Sequence, residues 1–300
     1  MDYFLELICS GLTRGSIYAL IALGYTMVYG IIQLINFAHG EIYMIGAFVA
    51  LIVSGVLTIY GFSGVSILVL AGVIAAVYAA AYGYTLEKIA YRPLRNAPRL
   101  SPLISAIGAS LFLQNFVLLA QTPDFLPFPE LVPEFAFMDP VAHIVGSAEL
   151  LILVVSAVTM IGLTVLIKYT RIGKAMRATQ QDMTMARLAG VNVDRVISLT
   201  FVIGSVLAAI GGVLVGSYIG QINFYIGFMA GVKAFTAAVL GGIGNVPGAV
   251  LGGLVLGLTE SFAAGYISSA YEDVFAFGVL VLILILRPAG LLGKAVRQKV

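Results

Sequence analysis

Residues 42–86 contain no charged side chain, and five further stretches are equally clean: 15–40 with His39 neutral, 100–123, 150–167, 196–232 and 234–259. A helix that crosses the hydrocarbon core of a bilayer needs about 20 mostly apolar residues at ~1.5 Å rise each. Residues 42–86 are long enough for two such spans, and Tyr60-Gly61-Phe62-Ser63-Gly64 marks the turn between them. Charged types make up 10% of the 300 residues and hydrophobic types 61%, with a mean hydropathy of +1.06. A soluble domain carries roughly 25% charged residues. So few charges cannot cover a water-facing surface, and the solvent of this chain is largely lipid. The predicted fold is all-α, one polytopic transmembrane helical bundle over residues 1–300 with discontinuous helices and seven to nine crossings. The first apolar stretch follows Asp2 and Glu6 without a basic leader, so it reads as a retained segment rather than a cleaved signal.

The position of the charges gives the orientation. Lys88, Arg92, Arg95 and Arg99 form one basic cluster behind Glu87. Lys168, Arg171, Lys174, Arg177, Arg187 and Arg195 form a second, with only Asp182 and Asp194 as acids. Arg287, Lys294, Arg297 and Lys299 close the chain. One loop, about 123–149, is acidic (Asp124, Glu130, Glu134, Asp139, Glu149) and is broken by Pro123, Pro127, Pro129, Pro133 and Pro140. The positive-inside rule places the basic clusters in the cytoplasm and the acidic loop outside. One span on either side of the acidic loop agrees by parity. Three segments before Lys88 put the N-terminus outside, a placement that Arg14 opposes.

Two polar or glycine-rich stretches interrupt the apolar runs, one in each half of the chain. They are Asn36-Phe37-Ala38-His39-Gly40-Glu41 and Gly241-Gly242-Ile243-Gly244-Asn245-Val246-Pro247-Gly248. Irregular backbone at membrane depth has to be buried in protein or line a wet cavity. Paired interruptions point to a midplane pathway built on discontinuous helices. Asn36, His39, Glu41, Gly244 and Asn245 are therefore the candidate pathway residues, with a tight loop at the membrane surface as the competing reading of each break. A carboxylate at membrane depth is expensive enough to imply a role, yet a place at a helix N-terminus near the interface would also favour Glu41. Lys233 is predicted to snorkel to the interface. Pairing with Glu41 or Glu260, or attraction of a substrate carboxylate, are its alternatives.

Gly204, Ala208, Gly212, Gly216 and Gly220 recur every fourth residue, and the pairs Gly248/Gly252 and Gly253/Gly257 repeat the spacing. Such stripes let helix backbones approach closely in lipid. In the basic loop at about 168–195, Thr179-Gln180-Gln181-Asp182 reads as a capping box. Met183, Met185, Ala186, Leu188 and Ala189 then suit a short helix, with Gly190 as its stop and Asn192 or Asp194 capping the next. A helix of about ten residues spans only ~15 Å and cannot cross a membrane. Its apolar face suits a partner's groove, or alternatively the lipid headgroups.

Catalytic and nucleotide chemistry is not expected. Gly173-Lys174 and Gly293-Lys294 are each followed by alanine and lack the earlier glycine of a phosphate loop, and Pro247 occupies the third glycine position of a dinucleotide fingerprint. His39 and His143 fall on separate loops, and the single Cys9 provides neither a disulfide nor a cysteine metal site.

The segment Gly15-Ser16-Ile17-Tyr18-Ala19-Leu20-Ile21-Ala22-Leu23-Gly24-Tyr25, continuing to Ile35-Asn36-Phe37-Ala38-His39-Gly40-Glu41, resembles the opening of the LivH family. These are permease subunits of branched-chain amino-acid ABC importers. Tyr91-Arg92-Pro93-Leu94-Arg95, Leu103-Ile104-Ser105-Ala106-Ile107-Gly108, Lys233-Ala234-Phe235, residues 240–248 and Leu286-Arg287-Pro288-Ala289-Gly290-Leu291-Leu292-Gly293 are similar to the same family. The resemblance implies a multi-pass protein of the cell inner (plasma) membrane that works beside a second, related permease subunit. It implies two cytoplasmic ATPase subunits that carry ATP and Mg, a periplasmic substrate-binding protein, and no cofactor or nucleic acid on this chain. Residues 178–190 look like the coupling helix that enters the ATPase cleft, with Asp182, Ala186, Leu188 and Gly190 at family-like positions and Arg187 among them.

The mechanism so implied is alternating access. Closure of the ATPases moves residues 178–190, the helix from Val196 transmits the shift, and a cavity near Asn36 and Asn245 opens outward. The cargo is a branched-chain or similar hydrophobic amino acid; other amino acids, urea and short amides are not separated by these residues. On spacing alone, an autonomous channel or an ion-coupled secondary transporter with Glu41 as proton carrier is the rival.

Overall fold

A computed structural model describes residues 2–95, 97–98, 100–132 and 145–293. Arg99, Pro133, Glu134, Asp139, Pro140, His143, Lys294, Arg297 and Lys299 lie outside the described residues. The described chain is helical almost throughout. The helices are α1 (Asp2–Ile32), α2 (His39–Ile59), α3 (Val65–Leu86), α4 (Leu100–Ala120), α5 (Ser147–Tyr169), α6 (Arg171–Gln181), α7 (Met183–Leu188), α8 (Val193–Ile219), α9 (Ile226–Gly241), α10 (Val246–Tyr266) and α11 (Glu272–Leu286). Among the described residues eight helical segments are long and apolar enough to cross a membrane, within the range expected, and α9 is shorter.

Helices α1 and α8 form the centre: 78% and 72% of their most apolar stretches are buried, against 6% for the segment that contains α11. Small residues make this possible. A Cβ on Gly15 would stand 2.8 Å from the Leu254 Cα of α10, and Gly257 and Gly253 of α10 meet the Gly15 and Ala19 backbone in return. The predicted stripe runs along α8. Gly204 faces Gly24 of α1, Gly212 faces Tyr43 and Ala47 of α2, and Gly216 lies under the Phe128 ring. Gly220 ends α8 in the left-handed region at φ +74°. Packing without side chains between backbones replaces the hydrophobic drive that lipid does not supply.

The basic clusters meet at one end of the bundle. Arg95 bridges to Asp194 at 2.5 Å, and the Leu291 and Leu292 amides donate to the carbonyls of Leu240 and Gly241 at 2.9 and 3.0 Å. At the other end β1 (Leu126–Pro127) pairs antiparallel with β2 (Gln221–Ile222), and Tyr218 donates to Glu149 at 3.3 Å. Arg14 is held towards that end by Glu272 at 3.1 Å.

Both breaks exist, with boundaries that differ from the sequence expectation. Helix α1 ends at Ile32, Gln33 turns the chain at φ +53°, and α2 starts at His39. His39, Gly40 and Glu41 therefore belong to the first turn of α2 and not to the break. Helix α9 stops at Gly241, and Gly242 (φ +104°) and Gly244 (φ +90°) turn the chain. Pro247 then sits in the first turn of α10, where its missing N–H costs nothing.

The basic loop at about 168–195 holds two helices instead of one. The stretch from Arg171 is itself helix α6, capped by Thr170, whose hydroxyl accepts from the Gly173 amide at 3.1 Å. Thr179 lies inside α6 and donates to the Ala175 carbonyl at 2.9 Å, so the expected capping box is absent. Asp182 alone caps α7, accepting from the Thr184 and Met185 amides at 2.7 and 2.9 Å. Gly190 ends α7 at φ +82°, with Val191 N–H donating to the Ala186 carbonyl at 2.9 Å. Asn192 caps α8 by accepting from the Arg195 amide at 3.0 Å.

Candidate substrate pathway and coupling surface

The two breaks approach each other inside the bundle. Ile35 from the first and Ile243 from the second border one narrow gap with Tyr25, Tyr29 and Phe235. Sharing Tyr25 and Phe235 with that gap is a cavity of about 210 Å³, walled also by Phe37, Phe228, Ser110 of α4 and Gly227 of α9. Its wall is apolar and aromatic, with the Tyr25 and Ser110 hydroxyls as its polar side-chain groups.

The sequence-predicted pathway residues separate into two groups. Glu41 and His39 stand close to this cavity, each 1% exposed. Ser110 Oγ donates to Glu41 Oε1 at 3.1 Å, while Oε2 has no hydrogen-bond partner. The His39 ring meets Tyr25 edge-on at 4.9 Å between centroids and rests on Gly24, where any side chain would collide with it. Asn36 and Asn245 do not share a cavity, contrary to expectation. Asn36 is turned to Tyr91, whose hydroxyl donates to its Oδ1 at 2.9 Å. Asn245 donates from Nδ2 to the Leu292 carbonyl at 2.7 Å. Gly244 lies with Gly30 and Gln180 beside a separate cavity of about 50 Å³. Each asparagine thus uses one of its amide atoms to hold a neighbouring segment, Asn36 the turn at Tyr91 and Asn245 the chain at Leu292.

Lys233 does not snorkel. It is 9% exposed, and its Nζ lies 3.1 Å from Glu260, 2.8 Å from Asp273 and 3.6 Å from Glu272. Tyr18 donates to the other oxygen of Glu260 at 2.7 Å. The cluster ties α9, α10, α11 and α1 together.

At the end of the bundle where Arg95 meets Asp194, α7 presents Leu188 at 78% and Met185 at 61% exposure. Asp182, Arg187 and Gly190 are exposed beside them, whereas Ala186 is buried and seats the helix on the bundle. A six-residue helix capped at both ends thus holds two large apolar side chains away from the bundle.

Residues 7–284 match the family model described as branched-chain amino acid transport system, permease component. The chain belongs to this family. The permease is 50% identical to the high-affinity branched-chain amino acid transport system permease protein LivH of Salmonella typhimurium, covering 99% of this chain and 98% of the relative. It is 50% identical, with the same coverage, to the corresponding protein BraD of Pseudomonas aeruginosa. Among solved structures, PsaBC from Streptococcus pneumoniae in complex with Fab aligns with a TM-score of 0.44 at 13% identity, covering 96% of this chain and 91% of that one. Family membership makes the chain a multi-pass inner-membrane transport subunit and not an enzyme, with ATP hydrolysis left to partner subunits. The channel and ion-coupled readings give way to it.

One part of the permease site has no counterpart in the sequence expectation. After α3 the helix widens into a π-turn at Glu87–Tyr91. Glu87 is fully buried there, bound by Arg92 at 3.0 Å, by Arg95, and by the Ser198 hydroxyl of α8 at 2.8 Å. From the same turn Tyr91 packs on Phe201 of α8 at 5.2 Å and reaches Asn36. A π-turn in a helix commonly marks a functional position. The available signal was Glu87 itself, the one acid in the first basic cluster; Ser110 gave none.

Proposed function

We propose that this permease imports branched-chain or similar hydrophobic amino acids through the cavity at Tyr25, Phe37 and Phe235, driven by ATPases seated on α7. The carrying observation is that cavity, apolar and aromatic with two hydroxyls, at the meeting of two helix breaks. Pockets for drug-sized ligands run to roughly 300–1,000 Å³, so about 210 Å³ suits a small aliphatic solute. The two 50% identical relatives bear names of the same cargo class. Asp182, Arg187 and Leu188 meet the ATPase, and its closure moves α7. The movement passes through Asn192 to α8, then through Ser198 and Glu87 to Tyr91 and the break at Asn36. The assembly is two related permeases, two ATPases that hold ATP and Mg, and a periplasmic protein that delivers cargo.

The test is uptake of labelled leucine by the full assembly in proteoliposomes, with ATP inside and the binding protein outside. Filling the cavity from its half-exposed wall residue with Ile107→Trp should cut uptake by about tenfold or more while the subunits still co-purify. Undiminished uptake by that variant refutes the pathway.

A further inference from the structure

Three carboxylates are fully buried among the described residues: Glu41, Glu87 and Glu260. Two have cations. Glu87 holds Arg92 and Arg95, and Glu260 holds Lys233. Glu41 has none among the described residues; it receives one hydrogen bond, from Ser110, and its Oε2 is unpartnered. The first turn of α2 lends it only the partial positive charge of a helix N-terminus, about half an elementary charge, so the carboxylate either holds a proton or takes its full counter-charge from a cation that enters. Two residues beside the carboxylate, Ser110 and Gly227, also wall the 210 Å³ cavity. Ser110 does so with its hydroxyl, and Gly227 by lacking a side chain, since a Cβ there would lie 2.6 Å from Oε2. With its hydrogen committed to Glu41, Ser110 Oγ keeps lone pairs to accept from whatever enters. The cavity wall itself carries no cation.

We propose that Glu41, acting through Ser110, is the ammonium-recognising element of the translocation cavity. The α-ammonium of the passing amino acid supplies the missing counter-charge, and its aliphatic side chain lies against Phe37, Phe228 and Phe235. Glu41 is a positioning residue that orients the Ser110 oxygen and sets the sign of the local field. The inference rests on the import reading above and adds the chemical group by which cargo is held in passage.

The test uses the full assembly in proteoliposomes with Cys9→Ala and Leu111→Cys, so that this chain's one thiol lines the cavity and its labelling is read on this chain after the subunits are separated by electrophoresis. Its modification rate is measured with cationic methanethiosulfonate ethylammonium and with the anionic sulfonate reagent. Glu41→Gln keeps the shape and removes the charge. It should lower the cationic-to-anionic rate ratio at least about fivefold and abolish protection of the thiol by leucine. Leucine uptake should fall about tenfold or more, with ATP hydrolysis and subunit recovery within about twofold of the parent. An unchanged rate ratio with unchanged uptake overturns the proposal. If Glu41→Gln does not assemble, Ser110→Ala takes its place: it should raise the KM for leucine at least about fivefold while the cationic preference stays, and an unchanged KM overturns the proposal. A parent assembly that takes up no leucine sinks the import reading instead, and the reagent ratio still reports on Glu41.

Discussion

Tyr91 donates its phenolic hydrogen to Asn36 Oδ1 over 2.9 Å, and neither residue reaches solvent. The bond joins the π-turn after α3 to the first helix break. Tyr91→Phe keeps the packing on Phe201 and leaves a buried amide oxygen unpaired, at a cost of about 1–3 kcal/mol. We expect a lower unfolding temperature in detergent and slower ATP-driven uptake with unaltered ATPase recruitment. Wild-type uptake would remove this bond from the transmission route.

Glu87 gathers two arginines and Ser198 at the point where α8 begins. Glu87→Ala leaves Arg92 without its anion and Arg95 with Asp194 alone. Because Arg92 is more than a third exposed, the loss should be about 2–3 kcal/mol, below that of a fully buried pair. Chemical denaturation of the purified protein measures it, and a change under about 0.5 kcal/mol contradicts the clamp.

Lys233 and Glu260 form a pair that a double-mutant cycle can separate. Lys233→Met strands the buried Glu260 carboxylate and should destabilise the protein by about 3–5 kcal/mol. Adding Glu260→Gln should restore part of that loss, because the stranded charge disappears. Strictly additive losses on thermal unfolding would show that the two side chains do not depend on each other.

Leu188 is exposed and touches little of the bundle, so Leu188→Asp should alter stability by no more than about 0.5 kcal/mol. ATPase co-purification and coupled uptake should both fall by about tenfold or more. Gly190 is a poorer probe of the same surface. At φ +82° any side chain strains the backbone by roughly 1–2 kcal/mol, and a transport defect there would mix misfolding with lost contact.

The spans are legible in the sequence because lipid leaves little choice: charge-free runs of sufficient length must cross, and the turn at Tyr60–Gly64 divides 39–59 from 65–86 as expected. Side-chain partnerships are not legible. Lys233 alone in an apolar run reads as a snorkelling lysine, since Glu260, Glu272 and Asp273 are brought to it only by the packing of three other helices. Polar residues in an apolar run also look like a break wherever they fall. His39 and Glu41 are helical because Gly40 lets α2 start directly against the Gly227 and Gly231 backbone of α9, a contact that leaves no local pattern. Thr179 misleads in the opposite way: its spacing to Asp182 fits a cap, but the helix around it has already begun at Arg171.

Where Gly11, Gly15 and Ala19 of α1 lie on Gly253, Gly257 and Ser261 of α10, main chain rests on main chain. Two surfaces with nothing to interdigitate offer no alternative rotamers in which a second arrangement might settle. Those two helices therefore behave as one plank, and the backbone bends at Gln33 and Gly242 mark where the chain leaves it.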